Sequence, residues 1–83
     1  MKISVTAQDI AVGIKDELGN SPIALAIKRA TGRKYVSVYG DAAVINCTAV
    51  YLPREAREFM RHGWIGFPEL RPFEFELDYQ EQE

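Results

Sequence analysis

Cysteine, histidine and tryptophan occur once each in these 83 residues. One thiol, Cys47, cannot form an internal disulfide and brings no ligand cluster with it. A domain this small in an oxidising compartment usually carries staples, so a reducing, cytoplasmic setting is expected. Cys47 lies in the apolar stretch VINCTAVYL and is expected to be a buried small hydrophobe. His62 has no Cys, His or carboxylate partner at metal-ligand spacing, and a structural place near a helix C-terminus is expected for it. No metal or other cofactor is implied. The six glycines fall at turns and form neither GxxxxGK[ST] nor GxGxxG. Ser4, Ser21 and Ser37 stand in no nucleophile elbow, so no enzyme is expected. No apolar run nears the ~18 residues of a membrane helix, and MKISVTAQDI has no signal-peptide core.

Positive charge is also missing from one end. Residues 1–72 hold ten Lys/Arg against seven Asp/Glu, whereas 73–83 hold five acids and no base. The chain's net charge of −2 thus joins a slightly basic body to an acidic end. In PFEFELDY, residues 72–79, Phe73, Phe75, Leu77 and Tyr79 alternate with Glu74, Glu76 and Asp78. A period of two places the apolar side chains on one strand face and the carboxylates on the other.

Upstream, 2–5 is a short strand pattern with Ile3 and Val5 on one side. Thr6 and Asp9 approach a capping box for a helix over 7–14, with Ile10 and Ile14 inward. Lys15–Asn20 is a polar connector. Ser21-Pro22 starts a second helix that ends at Gly32. KYVSVY, 34–39, predicts a strand with Val36 and Val38 on the core side and Tyr35, Ser37 and Tyr39 on the wetter side. A turn at Gly40-Asp41 leads into 43–51, which fits one bulged strand or two short ones. Pro53 opens a third helix that Gly63 closes; Ala56, Phe59 and Met60 form its apolar stripe, and Arg54 and Glu58 stand at i, i+4. Trp64, Ile65 and Phe67 follow in an irregular link.

The order β-α-α-β-β-α-β predicts a single α+β domain over 1–79, with 80–83 as an acidic tail. The sheet is expected to be antiparallel or mixed, with helices on one face. The first and last strands should pair within it and set Lys2 opposite the acidic face. Ile3, Val5, Val36, Val38, Phe73, Phe75 and Leu77 are the expected sheet core, covered by Ile23, Ile27, Phe59 and Met60.

Two surfaces could meet a partner. Glu74, Glu76 and Asp78, spaced by roughly 7 Å along a strand, with Glu81 and Glu83 behind them, would suit a basic groove. Trp64 or Phe67 could add an apolar anchor beside them. The alternative is a nucleic-acid site built from Lys28, Arg29, Arg33 and Lys34 together with Arg54, Arg57 and Arg61. Tyr35 and Tyr39 share a strand face on which bases could stack.

The blocks T-x-x-D-I-x-x-G from Thr6, S-P-I-A-L-A-I from Ser21, L-P-R-E-A-R-E-F-M from Leu52 and R-P-F-E-F-E-L from Arg71 resemble a family of small uncharacterised proteins of bacteriophages and mobile elements. In that family cysteines often precede the proline of the second block. Ser21 holds that place here, so no metal or redox role carries over. The resemblance implies a non-enzymatic protein that binds and blocks a host complex in the bacterial cytoplasm. Anti-CRISPR inhibitors are a group of this size, and a type I CRISPR surveillance complex, with its basic DNA groove, is the partner implied. A DNA-mimicking role for the acidic strand would follow.

Overall fold

A computed structural model of the chain describes residues 1–14, 17–62 and 72–79, without the side chains of 61 and 62. The elements are β1 (Lys2–Val5), α1 (Ala7–Val12), α2 (Pro22–Thr31), β2 (Val36–Val38), β3 (Ala42–Ile45), β4 (Thr48–Tyr51), α3 (Arg54–His62) and β5 (Phe73–Glu76). The chain is an α+β protein with antiparallel sheets. Residues 43–51 resolve as two strands. Ile45 pairs with Thr48 across a two-residue turn, in which Asn46 and Cys47 have φ of 49° and 72°. Two successive positive φ values are the primed-turn geometry whose twist suits a tight hairpin. Cys47 is therefore exposed at a hairpin tip, not buried as expected.

The strands form two sheets where a single one was expected. One is β1–β5, the other β2–β3–β4. The first and last strands do pair, with Ile3 opposite Phe75 and Val5 opposite Phe73. α2 lies against both β1 and β2 and so joins the sheets. Its apolar residues extend around most of the helix, and Pro22, Ile23, Ala24, Ala26 and Ile27 are all buried. Its ends follow the sequence signals. The Ser21 hydroxyl accepts from the Ala24 amide, and Gly32 closes the helix in the left-handed region at φ 71°.

One core runs from Ile3 to Leu77, through Val36, Val38, Ala43, Ile45, Val50, Leu52 and Ala56. Phe59, Met60 and Phe73 are half-buried against it, and the Phe59 and Phe73 rings lie 5.1 Å apart. α1 stops at Val12, two residues before the predicted end, and leaves Ile14 exposed. At Gly13 the backbone turns extended, with φ −63° and ψ 144°, and the residue sits against the start of α2. A Cβ there would lie 2.5 Å from a ring carbon of Pro22 and 2.8 Å from the Asp9 carbonyl oxygen. The cap at Gly63 and the link holding Trp64, Ile65 and Phe67 lie outside the described residues, as does the tail at 80–83.

Candidate partner-binding surfaces

Glu74 and Glu76 project from the exposed face of β5, as the alternation requires. They do not form an uncompensated acidic row. Lys2 Nζ lies 2.6 Å from Glu74 Oε2, and the Met1 ammonium lies 3.3 Å from Glu76 Oε2. The hydrogen bond to Glu74, with its charge, holds the Lys2 pKa above the ordinary lysine value. The expected third member, Asp78, lies beyond the end of the strand. β5 ends at Glu76, and the Tyr79 amide donates back to the Leu77 carbonyl at 2.8 Å. That i to i+2 bond closes a three-residue turn centred on Asp78, which is exposed there. Glu81, Glu83, Trp64 and Phe67 lie outside the described residues.

Three of the seven basic candidates have partners within the fold. Lys28 donates its ammonium to the Gly19 carbonyl and ties the 18–20 turn to α2. Arg29 forks onto both carboxylate oxygens of Asp9 at 2.8 and 2.7 Å and also donates to the Ser4 carbonyl. Asp9 is buried and completes the cap of α1. Its carboxylate accepts from the Thr6 amide at 2.9 Å, and its own amide donates to the Thr6 hydroxyl. The Arg29 hydrogen bonds hold the Asp9 carboxyl below the usual aspartate value; burial opposes this, and Thr6 adds to it. Arg54 pairs with Glu58 at 3.2 Å. Arg33 is half-buried, while Lys34 and Arg57 are exposed. The side chain of Arg61 is outside the described set.

A third surface brings Tyr35, Tyr39 and Tyr51 together. The inner face of β2–β3–β4 carries Val36, Val38, Ala43, Ile45 and Val50. Its outer face therefore carries Ser37, Ala42, Val44, Ala49 and Tyr51. The pairing sets Ser37 beside Val44 and Val44 beside Ala49, with Ala42 opposite Tyr51. Tyr35 and Tyr39 flank β2 on the same side, as the alternation predicted. Tyr35, Tyr39 and Tyr51 are 78%, 46% and 81% exposed. The face is thus a floor of small side chains with three tyrosines standing above it, and none of its residues is charged. Tyr51 was visible in the sequence only as part of the return strand. Recognising Asn46-Cys47 as a turn would have fixed its phase, since Ala49 and Tyr51 then alternate with buried Val50.

Two shallow concavities flank β5. One, of about 500 Å³, is lined by Ser4, Thr6, Phe73 and Glu74; the other, of about 480 Å³, by Lys2, Glu55, Glu74 and Glu76. Among the described residues no group of three His, Cys, Asp or Glu side chains could hold a metal ion, and no helix is long and apolar enough to cross a membrane. No family model, curated protein or solved structure matches the chain. The resemblance to bacteriophage proteins therefore stands on the quoted sequence blocks alone.

Proposed function

We propose that this chain is a non-catalytic binding protein that docks on a larger protein through the outer face of β2–β3–β4. One observation carries the reading. Tyr35, Tyr39 and Tyr51 stand exposed on an uncharged floor of Ser37, Ala42, Val44 and Ala49. Tyrosine is enriched at protein interfaces because it brings a large rigid ring with a polar tip, and charged side chains are depleted from interface centres. In the setting that the phage resemblance implies, the partner is a host defence complex and the consequence of binding is its inhibition. The acidic strand is the weaker contact for that role, because Lys2 and the Met1 ammonium already compensate Glu74 and Glu76.

A purified type I CRISPR surveillance complex tests both surfaces. The parent protein is expected to block binding of target DNA. A variant with Tyr35, Tyr39 and Tyr51 changed to serine should lose the block, while E74K/E76K/D78K should keep it. Loss only in the charge-reversed variant would move the contact to the acidic strand. A parent that never binds such a complex would end the inhibitor reading.

A nucleic-acid role has one observation in its favour. Arg33 and Lys34 immediately precede Tyr35, so a phosphate backbone could track beside rings that stack on bases. Salt-sensitive binding of single-stranded DNA, weakened by Tyr35→Ser, would replace the protein-docking reading.

A further inference from the structure

Among the described residues four strand edges bound the two sheets, and three of them are guarded. On β2, residues 35, 37 and 39 turn their amides and carbonyls toward β3: the Asn46 amide donates to the Tyr35 carbonyl, and the Tyr39 amide to the Ala42 carbonyl. The outward groups of β2 then belong to Val36 and Val38, and the Val38 amide is taken by the Leu18 carbonyl at 2.8 Å. On β1, the Met1–Leu77 backbone bonds direct Lys2 and Ser4 outward, and Arg29 caps the Ser4 carbonyl at 2.8 Å. On β5, the outward positions are Glu74 and Glu76, and charge at an edge position discourages strand addition.

Among the described residues β4 has no such guard. The Leu52 amide donates to the Asp41 carbonyl, so Thr48 and Val50 point their backbone groups into the sheet and Ala49 and Tyr51 point theirs out. Among the described residues β3 is the only strand beside it. Its sequence, TAVY, has no charge, no proline and no lysine, and its primed turn fixes its register.

We propose that β4 pairs antiparallel with β4 of a second copy about a two-fold axis at Val50, giving a continuous six-stranded sheet. In this register Ala49 of each copy faces Tyr51 of the other. Their outward amides and carbonyls then exchange four backbone hydrogen bonds. On the outer face each Tyr51 ring lies beside the other copy's Ala49 methyl, so the large side chain meets the small one at both symmetry-related positions. No charged strand residue meets its like across the seam. The operation consumes both β4 edges, and Leu18 already covers β2, so assembly closes at two copies rather than growing into a fibre. A second copy is favoured over an unrelated peptide because this one register satisfies edge bonds and side-chain sizes on both sides at once. The inference rests on the edge alone and is independent of the docking role proposed above. It would nevertheless double the uncharged tyrosine face.

A four-residue edge buries less than the ~800 Å² per partner of a standard interface, so the dimer should be weak. Sedimentation equilibrium of the full chain from about 10 µM to 1 mM is expected to show a monomer–dimer equilibrium with no larger species. Hydrogen exchange at the Ala49 and Tyr51 amides should slow as concentration rises. Ala49→Pro deletes only an outward amide, which an edge strand tolerates, and Tyr51→Lys places two cations at the seam from a side chain that is 81% exposed. Each should weaken dimerisation at least tenfold with the circular dichroism of the parent; should Ala49→Pro misfold, Tyr51→Lys carries the test. A parent that is monomeric at 1 mM overturns the inference. So does a folded Tyr51→Lys variant that dimerises within tenfold of the parent, or a dimer in which exchange at residues 49 and 51 does not slow.

Discussion

Removing the Asp9 carboxylate is the sharpest test of how β1 is joined to α1 and α2. Asp9 is 4% exposed, and its carboxylate accepts three hydrogen bonds from two partners: one from the Thr6 amide and two from the Arg29 guanidinium, one to each oxygen. Arg29 in turn caps Ser4 on the edge of β1. Asp9→Ala deletes half of a capping box, which costs about 0.5–2 kcal/mol. It also deletes charged hydrogen bonds, each of which contributes about 1.5–3 kcal/mol when buried. The Arg29 side chain is 52% exposed, so water takes up part of that second loss. A net destabilisation of about 2–3 kcal/mol is expected, and for a domain this small that lowers Tm by roughly 10–20 °C. Asp9→Asn separates the two parts, since it keeps an oxygen for the Thr6 amide and loses the anion. The pH dependence has a definite sign. Asp9 titrates lower when folded than when unfolded. Its contribution is therefore complete above the unfolded aspartate value of about 4 and disappears as pH falls through the folded value. Urea unfolding at pH 7 and pH 3 should show the parent losing this stability in acid while Asp9→Ala does not lose it again. A double-mutant cycle with Arg29→Gln should give a coupling of about 1 kcal/mol or more. A loss below about 0.5 kcal/mol for Asp9→Ala, or additive behaviour with Arg29→Gln, would refute the reasoning.

The other expected outcomes follow from particular contacts. Gly13→Ala should destabilise by about 1–3 kcal/mol in chemical denaturation, because the new methyl would overlap the Pro22 ring and the Asp9 carbonyl. Cys47→Gly should stabilise by about 1 kcal/mol, since φ of 72° is unfavourable for a residue with a Cβ; a melting curve shifted downward would contradict the turn. Phe75→Ala should cost about 3–5 kcal/mol, as the ring is buried between the β1–β5 sheet and the rest of the core. An unchanged melting temperature there would mean that β5 is not a core strand.

Much of the local structure was legible because it is set by neighbours in sequence. Thr6, Ser21, Pro22 and Gly32 mark helix ends through their own side chains or backbone preferences, and all four behave as those preferences dictate. The alternation of β5 and of 35–39 carried the burial pattern with it. The pairing of β1 with β5 could be inferred from two one-sided patterns, and the Lys2–Glu74 contact came with it. What was hidden depended on distance along the chain or on an atypical residue. A primed turn usually advertises itself as Asn-Gly; Asn-Cys left one bulged strand and two short strands both open, and with that choice the phase of Tyr51 and the exposure of Cys47. The division into two sheets was invisible because a shared hydrophobic face fits one sheet as well as two. Arg29 was a plausible phosphate ligand until Asp9, twenty residues earlier, proved to hold it.

The same contacts give the quoted sequence blocks a structural meaning. In T-x-x-D-I-x-x-G, Thr6 and Asp9 cap each other, and Gly13 leaves room for Pro22 of S-P-I-A-L-A-I. Arg29 then closes the unit by binding Asp9 and the edge of β1. The final block, R-P-F-E-F-E-L, supplies Phe75 and Leu77 to the core and pairs with β1. These positions account for how the chain folds, and Thr6, Asp9, Phe75 and Leu77 are spent within it. A contact surface must instead be built from side chains that the fold leaves unused. Among the described residues Tyr35, Tyr39 and Tyr51 meet that condition together on one face, and the quoted blocks contain none of them. Sequences sharing those blocks would therefore keep the scaffold while remaining free to vary the tyrosine positions. On the docking role proposed above, a change of partner within such a scaffold should trace to residues 35, 39 and 51, and substitution of those three should change binding without altering stability by more than about 0.5 kcal/mol each.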